Sequence, residues 1–204
     1  MGKIRSKQRI DPVLSKDGSV KITEKQGGRV TVGEGTYMNS GLLYAGGDNI
    51  TIGKFCRIGY EVFMLTNYGS NLLLADDKKR RSGGIIIGDS VHIGWKVLIR
   101  GGVTIGDWAI VGMGAVVLKN VEPFHMVGGN PARDLGLRPD TDKIIRLIKK
   151  RCGNIDGTPA EVIAKVKKQG YSIAEKSFHP DKGARLYIAP KGKILQYTEE
   201  FLVE

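Results

Sequence analysis

Residues 85–118 read IIIGDSVHIGWKVLIRGGVTIGDWAIVGMGAVVL, and an aliphatic residue returns at every sixth position of this stretch. These aliphatic residues are Ile87, Ile93, Ile99, Ile105, Val111 and Val117. Small or β-branched residues follow the first five of them four positions later, at Val91, Val97, Val103, Ala109 and Ala115. Glycine directly follows four of them, at Gly88, Gly94, Gly106 and Gly112. A period of six matches neither a helix nor a plain alternating strand.

The period predicts a coil with a triangular cross-section, in which each six-residue unit supplies one flat face and one corner. Three units then make a turn of about 18 residues, and stacked turns bury one continuous core, as in other solenoids. The aliphatic residue is expected to point inwards, and the small residue to pack beside it. The glycine is expected at the corner, where it would tolerate a tight backbone turn.

Further copies of the pattern precede this stretch, and the register breaks twice before Ile87. The block at Ile52, Ile58 and Met64 has the same pattern, and only the copy that begins at Val32 is weaker. Between Met38 and Ile52 the spacing is not a multiple of six, which predicts a bulge or an irregular segment. Residues 67–84 are polar and predict a loop that projects from the coil, where solenoids place binding groups. The prolines and glycines of VEPFHMVGGNPAR predict that the repeats end after Val117.

The sequence predicts three regions: a basic N-terminal strand or cap at 1–30, the coil at 31–138, and a small α+β appendage at 139–204. The appendage begins with the helical pattern PDTDKIIRLIKKRCG. A second helix is predicted in TPAEVIAKVKKQG, where Thr158 and Glu161 form a capping box and Pro159 sits at the first helical position. The runs ARLYIAP and GKILQYT resemble strands. The appendage could cover the end of the coil, bind a substrate, or both.

The composition excludes several classes of protein. A hydrophobic fraction of 41% argues against global disorder. The net charge of +11 suits a solvated surface, a phosphate-rich ligand, an anionic glycan or peripheral contact with a membrane. The basic residues are not interleaved with aromatic ones, so nucleic acid is not expected as a partner. The two distant cysteines, the lack of an apolar run long enough to span a bilayer and the polar N-terminus predict a cytoplasmic protein.

The segment from Ile85 to Arg133, with its terminal VGGNPAR, resembles the hexapeptide-repeat acyltransferases, in particular the branch that acetylates sugars, antibiotics and surface polysaccharides. The resemblance covers roughly residues 30–138. It implies a mainly β fold, namely a left-handed parallel β-helix of hexapeptide repeats with the α+β appendage behind it. It also implies a homotrimer, with acetyl-CoA bound between neighbouring prisms.

Four positions match places where the family contacts acetyl-CoA. Trp95 and Met113 fall where the family lines the pantetheine slot with small residues, so the slot here would be narrower. Lys119 and Arg133 match basic residues that approach the CoA phosphates or adenine, and cations suit these negatively charged groups. The alternative is that both are ordinary exposed charges.

The expected catalytic base is missing from its usual place. An attacking hydroxyl must lose a proton, and the family supplies a histidine from a stretch like ILTHDHS. This chain reads MLTNYGS and has Asn67 there, a residue that cannot take the proton. Where the family reads VWIG, the chain has His92 on the outer face of the coil. We therefore expect His92 as the base and Asn67 as a hydrogen-bond donor; the alternative is a surface histidine that fills the tryptophan's space.

The resemblance predicts acetyl-CoA-dependent O-acetylation of a saccharide or a surface-polysaccharide precursor. N-acetylation of a sugar is an alternative, because an amine needs less help from a base. A trimeric scaffold or binding module without activity is another, because Asn67 replaces the histidine. No metal-ligand spacing is present. Cys56 occupies a small-residue slot and is expected to be buried and inert.

Overall fold

The protein is mainly β, and its computed structural model describes residues 13–14, 19–67, 83–179, 183–190 and 201–202. The strands of the coil are β1 (Val13–Leu14), β2 (Val20–Lys25), β3 (Val30–Val32), β4 (Tyr37–Met38), β5 (Gly41–Gly46), β6 (Ile50–Ile52), β7 (Arg57–Ile58), β8 (Val62–Leu65), β9 (Ile85–Ile87), β10 (His92–Ile93), β11 (Leu98–Arg100), β12 (Thr104–Ile105), β13 (Ile110–Val111), β14 (Val116–Val117), β15 (His125–Gly128) and β16 (Arg133–Leu137).

These strands form the three faces of a left-handed β-helix, which confirms the predicted fold. Face A has the order β1-β4-β7-β10-β13-β15-β16, face B the order β14-β11-β8-β5-β2, and face C the order β12-β9-β6-β3. Neighbouring strands are parallel except β16, which returns antiparallel to β15. The chain visits the faces in the order C, A, B, so the prism has a C–A corner, an A–B corner and a B–C corner.

The core follows the six-residue period. Inward residues of successive coils pair directly, as in Ile93 with Val111 and Ile99 with Val117. All six aliphatic residues of the repeat are at most 3% exposed, and the five small residues between them are equally buried. One continuous apolar cluster therefore fills the prism, as the period predicted.

The corner glycines serve a different purpose from the predicted one. Residues with a left-handed backbone at the C–A corner are Gly35, Phe55, Ser90, Trp108 and Phe124, with φ between 56° and 70°. The glycines that follow the aliphatic residues do not have this conformation. A Cβ on Gly88 would instead lie 2.6 Å from the backbone nitrogen of Asp107 in the next coil. Close stacking of the coils, and not a tight turn, requires glycine there.

Two predictions about the coil are wrong: the irregular segment before Ile52 and the end of the repeats after Val117. Residues 41–46 form the continuous strand β5, which pairs in register with both β2 and β8. Their coil is longer than the usual 18 residues, as the pairing of Met38 with Ile58, 20 residues further along the chain, shows. The coil also continues beyond Val117, since β15 adds to face A and Val121 bridges to Ile105 of face C. The bridge joins residues 16 apart, so the period of six no longer shows it.

The appendage consists of α1 (Thr141–Cys152), α2 (Pro159–Lys168) and the antiparallel strands β17 (Tyr171–His179), β18 (Gly183–Pro190) and β19 (Phe201–Leu202). Both helices and the capping box of α2 are as predicted. ARLYIAP lies in β18, whereas GKILQYT lies outside the described residues. The helices pack along the C–A corner, where Trp108 and Phe124 join their apolar cluster.

The boundaries 1–30, 31–138 and 139–204 stay predictions, as does the projecting loop, most of which falls outside the described residues. Among the described helices, none is both long and apolar enough to cross a membrane.

Candidate functional site

A row of side chains crosses the outer surface of face A. Each member directly precedes an inward residue, so it points away from the core. Strand pairing places Tyr37 beside Arg57, Arg57 beside His92, and His92 beside Ile110. The outward position of His92, which the resemblance to the family implied, is what the structure shows. His92 is half-buried within this row.

This row forms the floor of a groove with a volume of about 660 Å³. Phe55, from the C–A corner, and Trp95, from the A–B corner, line it on either side. Both rings lie over glycines of the preceding coil. A Cβ on Gly35 would collide with the Phe55 ring, and one on Gly59 would collide with the Trp95 indole. The two glycines therefore allow the aromatic rings to lie close against the backbone.

Asn67 lies elsewhere in the prism. It follows β8 at the B–C corner, where its neighbour Thr66 is fully buried and accepts a hydrogen bond from the backbone N–H of Gly46 at 2.8 Å. Face A is opposite this corner, so the core separates Asn67 from His92. A single chain therefore does not bring the two expected catalytic residues into one cleft.

Trp95 and Met113 lie one above the other at the A–B corner, with 53% and 72% of their surfaces exposed. Tyr60 continues the column in the preceding coil and meets Trp95 edge-on, with ring centroids 5.1 Å apart. Glu61 and Lys96 flank this column. The A–B corner thus presents three large, partly exposed apolar side chains to its surroundings.

Lys119 and Arg133 are exposed at the C-terminal end of the prism. Lys119 follows β14, and Arg133 begins β16 just after a segment that pairs with Val116. Neither residue lines the groove on face A. The structure therefore places both expected phosphate-binding cations at the C-terminal end of the prism, and neither joins His92 in the groove.

Sequence reasoning missed three residues of the groove: Tyr37, Phe55 and Arg57. The signal for two of them was present, because Tyr37 precedes Met38 and Arg57 precedes Ile58 just as His92 precedes Ile93. Phe55 has a left-handed backbone, with φ at 56°, a conformation that the six-residue pattern does not reveal.

Two other kinds of site, a metal centre and a nucleophilic cysteine, find little support among the described residues. No group of three or more potential metal ligands occurs among its residues. Cys56 is fully buried, as predicted, and burial raises the pKa of its thiol to about 12. A thiol that stays protonated at neutral pH is a poor nucleophile.

Comparison with known proteins gives several acetyltransferases. No protein-family model matches the sequence. The chain is 32% identical over 143 residues to a chloramphenicol acetyltransferase of Agrobacterium fabrum, covering 57% of this chain and 63% of that protein. It is 35% identical over 130 residues to a probable macrolide acetyltransferase of Lysinibacillus sphaericus, covering 54% of this chain and 72% of that protein. The chain thus spans less than two thirds of the length of the first relative.

A solved structure shares the fold. The polySia-specific acetyltransferase NeuO superposes with a TM-score of 0.53 and 26% sequence identity, covering 69% of this chain and 65% of that one. The three-faced coil has the architecture that the repeats and the VGGNPAR segment indicated. Taken with the identity to the macrolide acetyltransferase over 72% of its length, these features show that the chain belongs to the hexapeptide-repeat acetyltransferase family.

Proposed function

We propose that the protein transfers an acetyl group from acetyl-CoA to a hydroxyl group of a saccharide. The proposal rests on the position of His92, which lies in the floor of a groove between the aromatic rings of Phe55 and Trp95. A histidine is the side chain best suited to accept a proton near neutral pH. The related proteins are acetyltransferases, and acetyl-CoA is the donor that such a transfer requires.

In the proposed reaction, the acceptor oxygen attacks the thioester carbonyl carbon while His92 takes the hydroxyl proton. The tetrahedral intermediate carries its negative charge on the former carbonyl oxygen, which needs a hydrogen-bond donor. When the intermediate collapses, the carbon–sulfur bond breaks and the acetyl group stays on the acceptor oxygen. The proton on His92 then passes to the leaving thiolate, which gives free CoA and restores the neutral imidazole.

A homotrimer would complete this site. Asn67 and His92 lie on opposite sides of one prism, so Asn67 can serve His92 only from a neighbouring copy. The outward row on face B, which includes Phe63 and Leu98, is apolar, and these two side chains are 41% and 36% exposed. Together with the apolar A–B corner, this row supplies a surface for subunit contact. In the proposed trimer, Asn67 donates a hydrogen bond to the acceptor or to the oxyanion.

Acetyl-CoA is proposed to lie in the cleft between neighbouring prisms. Trp95 and Met113 would border the pantetheine arm, since they project from the A–B corner with large exposed surfaces. Lys119 and Arg133 would bind the phosphates, because both are exposed cations at one end of the prism. The thioester would then reach the groove on face A from that end.

The test combines CoA binding with turnover. We expect CoA to raise the melting temperature of the wild type and of His92→Ala equally. We expect His92→Ala to lower kcat by about 10²- to 10⁴-fold, the usual contribution of a general base. His125→Ala is the matched control, because His125 binds Asp134 at 2.9 Å and does not line the groove. Unchanged turnover in His92→Ala would show that His92 is not the base.

Asn67 at the family's usual histidine position favours a second candidate, a trimeric binding module without activity. This candidate predicts that CoA binds while no acceptor hydroxyl or amine is acetylated. Acetylation of amines alone, insensitive to His92→Ala, would identify an N-acetyltransferase. Absence of CoA binding in the full chain would contradict both the enzyme and the CoA-binding module.

A further inference from the structure

We infer that the groove on face A selects an acceptor saccharide that carries a negative charge, and that Arg57 binds this anionic group. The inference rests on the proposed acetyl transfer and adds the substrate class to it. Its basis is the position of Arg57, which lies in the floor of the groove between Tyr37 and His92.

Register sets the distance between Arg57 and the proposed base. Arg57 and His92 are direct partners on adjacent parallel strands, and such strands lie about 4.8 Å apart. A group bound by the guanidinium therefore lies next to the histidine that would activate the hydroxyl. This spacing suits an acceptor whose anionic group and acetylated hydroxyl belong to the same or the adjoining sugar ring.

The charge of the groove favours an anion. Arg57 places a permanent positive charge in the floor of the groove. Tyr37 and Asn39 add neutral hydrogen-bonding groups to the same surface. A guanidinium binds a carboxylate or a phosphate through two parallel N–H···O bonds, which fixes the orientation of the ligand as well as its charge.

The walls of the groove favour a sugar ring as the carrier of that anion. Phe55 and Trp95 present aromatic surfaces against which the C–H face of a pyranose can pack. The volume of about 660 Å³ lies within the range of about 300–1,000 Å³ that is usual for small-molecule sites. Aromatic walls and a central arginine together describe a site for an anionic saccharide.

The anion could be a carboxylate of a sugar acid or a phosphate of a sugar phosphate, and the experiment separates these sources. We would measure kcat/KM for matched acceptors: methyl glucuronide against methyl glucoside, methyl galacturonide against methyl galactoside, and glucose 6-phosphate against glucose. Binding of the same compounds would be measured by calorimetry in the presence of CoA. The wild type is expected to prefer the charged member of a pair roughly tenfold or more, as a charge-assisted contact provides.

Variants of Arg57 assign this preference to the side chain. Arg57→Gln is expected to remove the preference by lowering kcat/KM for the charged acceptors, and Arg57→Lys is expected to keep part of it. Lys54→Gln is the control, since Lys54 is a neighbouring exposed cation that does not line this groove. Thermal unfolding of each variant shows whether it is folded.

The outcomes separate the inference from the proposed function. Equal turnover and binding of charged and neutral acceptors overturns the inference and leaves acetyl transfer standing. A higher KM for acetyl-CoA in Arg57→Gln also overturns it, because Arg57 would then bind the donor. Absence of CoA binding in the wild type instead contradicts the proposed function, on which the inference depends.

Discussion

The indole of Trp108 lies parallel to the ring of Phe124, with ring centroids 5.7 Å apart and an angle of 7° between the planes. Both residues occupy the C–A corner in successive coils, where each has a left-handed backbone. Elsewhere at this corner the side chains are smaller or partly exposed, but these two are fully buried by the appendage. The stacked pair is therefore the apolar anchor that joins the β-helix to α1 and α2.

Replacing Trp108 by alanine is expected to lower the free energy of unfolding by about 3–5 kcal/mol, the usual cost of deleting a buried large aromatic side chain. The loss should appear first in the appendage, because the core of the prism does not include Trp108. Limited proteolysis should then cut the segment between α1 and α2 in the variant and spare it in the wild type. Chemical denaturation followed by circular dichroism measures the free energy.

Trp95→Ala is the matched control, since Trp95 is 53% exposed and meets Tyr60 edge-on at the A–B corner. We expect this variant to lose about 1 kcal/mol, because half of its surface stays in water. Equal losses in the two variants would show that the stacked pair does not anchor the appendage.

Lys167 of α2 links two coils at the C–A corner through ion pairs. Its ammonium group donates hydrogen bonds to Asp89 at 2.5 Å and to Asp107 at 2.7 Å, and these carboxylates belong to successive coils. Burial lowers the pKa of Lys167, but Asp107 and Asp89 outweigh this effect and raise the pKa above its usual value of 10.5. The stabilisation is therefore fully present below pH 10.5 and is lost as the pH rises through the higher pKa of the folded state.

Lys167→Met should lower the free energy of unfolding at pH 8 by about 1–2 kcal/mol, because two neighbouring carboxylates then lack their cation while water still screens part of their repulsion. The difference from the wild type should shrink above pH 10.5, where the unfolded chain releases the lysine proton that the folded state still holds. Urea titrations at pH 8 and pH 11 measure both values. Lys168→Met, at an exposed position of the same helix, is the control. A difference that does not change with pH would contradict the ionic origin.

Much of the coil was predictable because the core repeats locally. Each inward residue packs against residues one turn away, so burial imposes the six-residue period on the sequence itself. The period fails where the coils change length. The 20-residue step from Met38 to Ile58 and the 16-residue step from Ile105 to Val121 are as regular in space as the others, yet they break the pattern in sequence.

The site was predictable only in part, because it depends on contacts between distant elements. The resemblance to the family placed His92 on the outer surface, whereas a rule based on register, by which the residue before an inward one points outward, would have found both His92 and Arg57. It could not show that Asn67 lies at the opposite corner, since the position of a corner depends on how many residues each coil contains. Docking of the appendage on Trp108 is also a tertiary contact, which the periodicity of α1 and α2 does not encode.

The glycines of the repeat offer a direct test of how the coils stack. At Gly88 the backbone conformation is open to any residue, but an added Cβ would lie 2.6 Å from the backbone nitrogen of Asp107. At Gly114 the opposite holds, because φ is 71° while no atom lies within 4 Å of an added Cβ. Alanine at Gly114 should therefore cost about 1 kcal/mol, the price of a left-handed backbone for an L residue.

Alanine at Gly88 should cost more, about 3 kcal/mol, because two backbone segments must move apart and weaken the parallel pairing on either side of the corner. The free energies of unfolding of the two variants, measured by urea denaturation, decide between the two explanations of the glycine pattern. If Gly114→Ala proves the more damaging, then turn geometry and not coil spacing selects glycine in these repeats. A larger loss at Gly88 instead means that the short distance between neighbouring coils is the reason for glycine in the six-residue pattern.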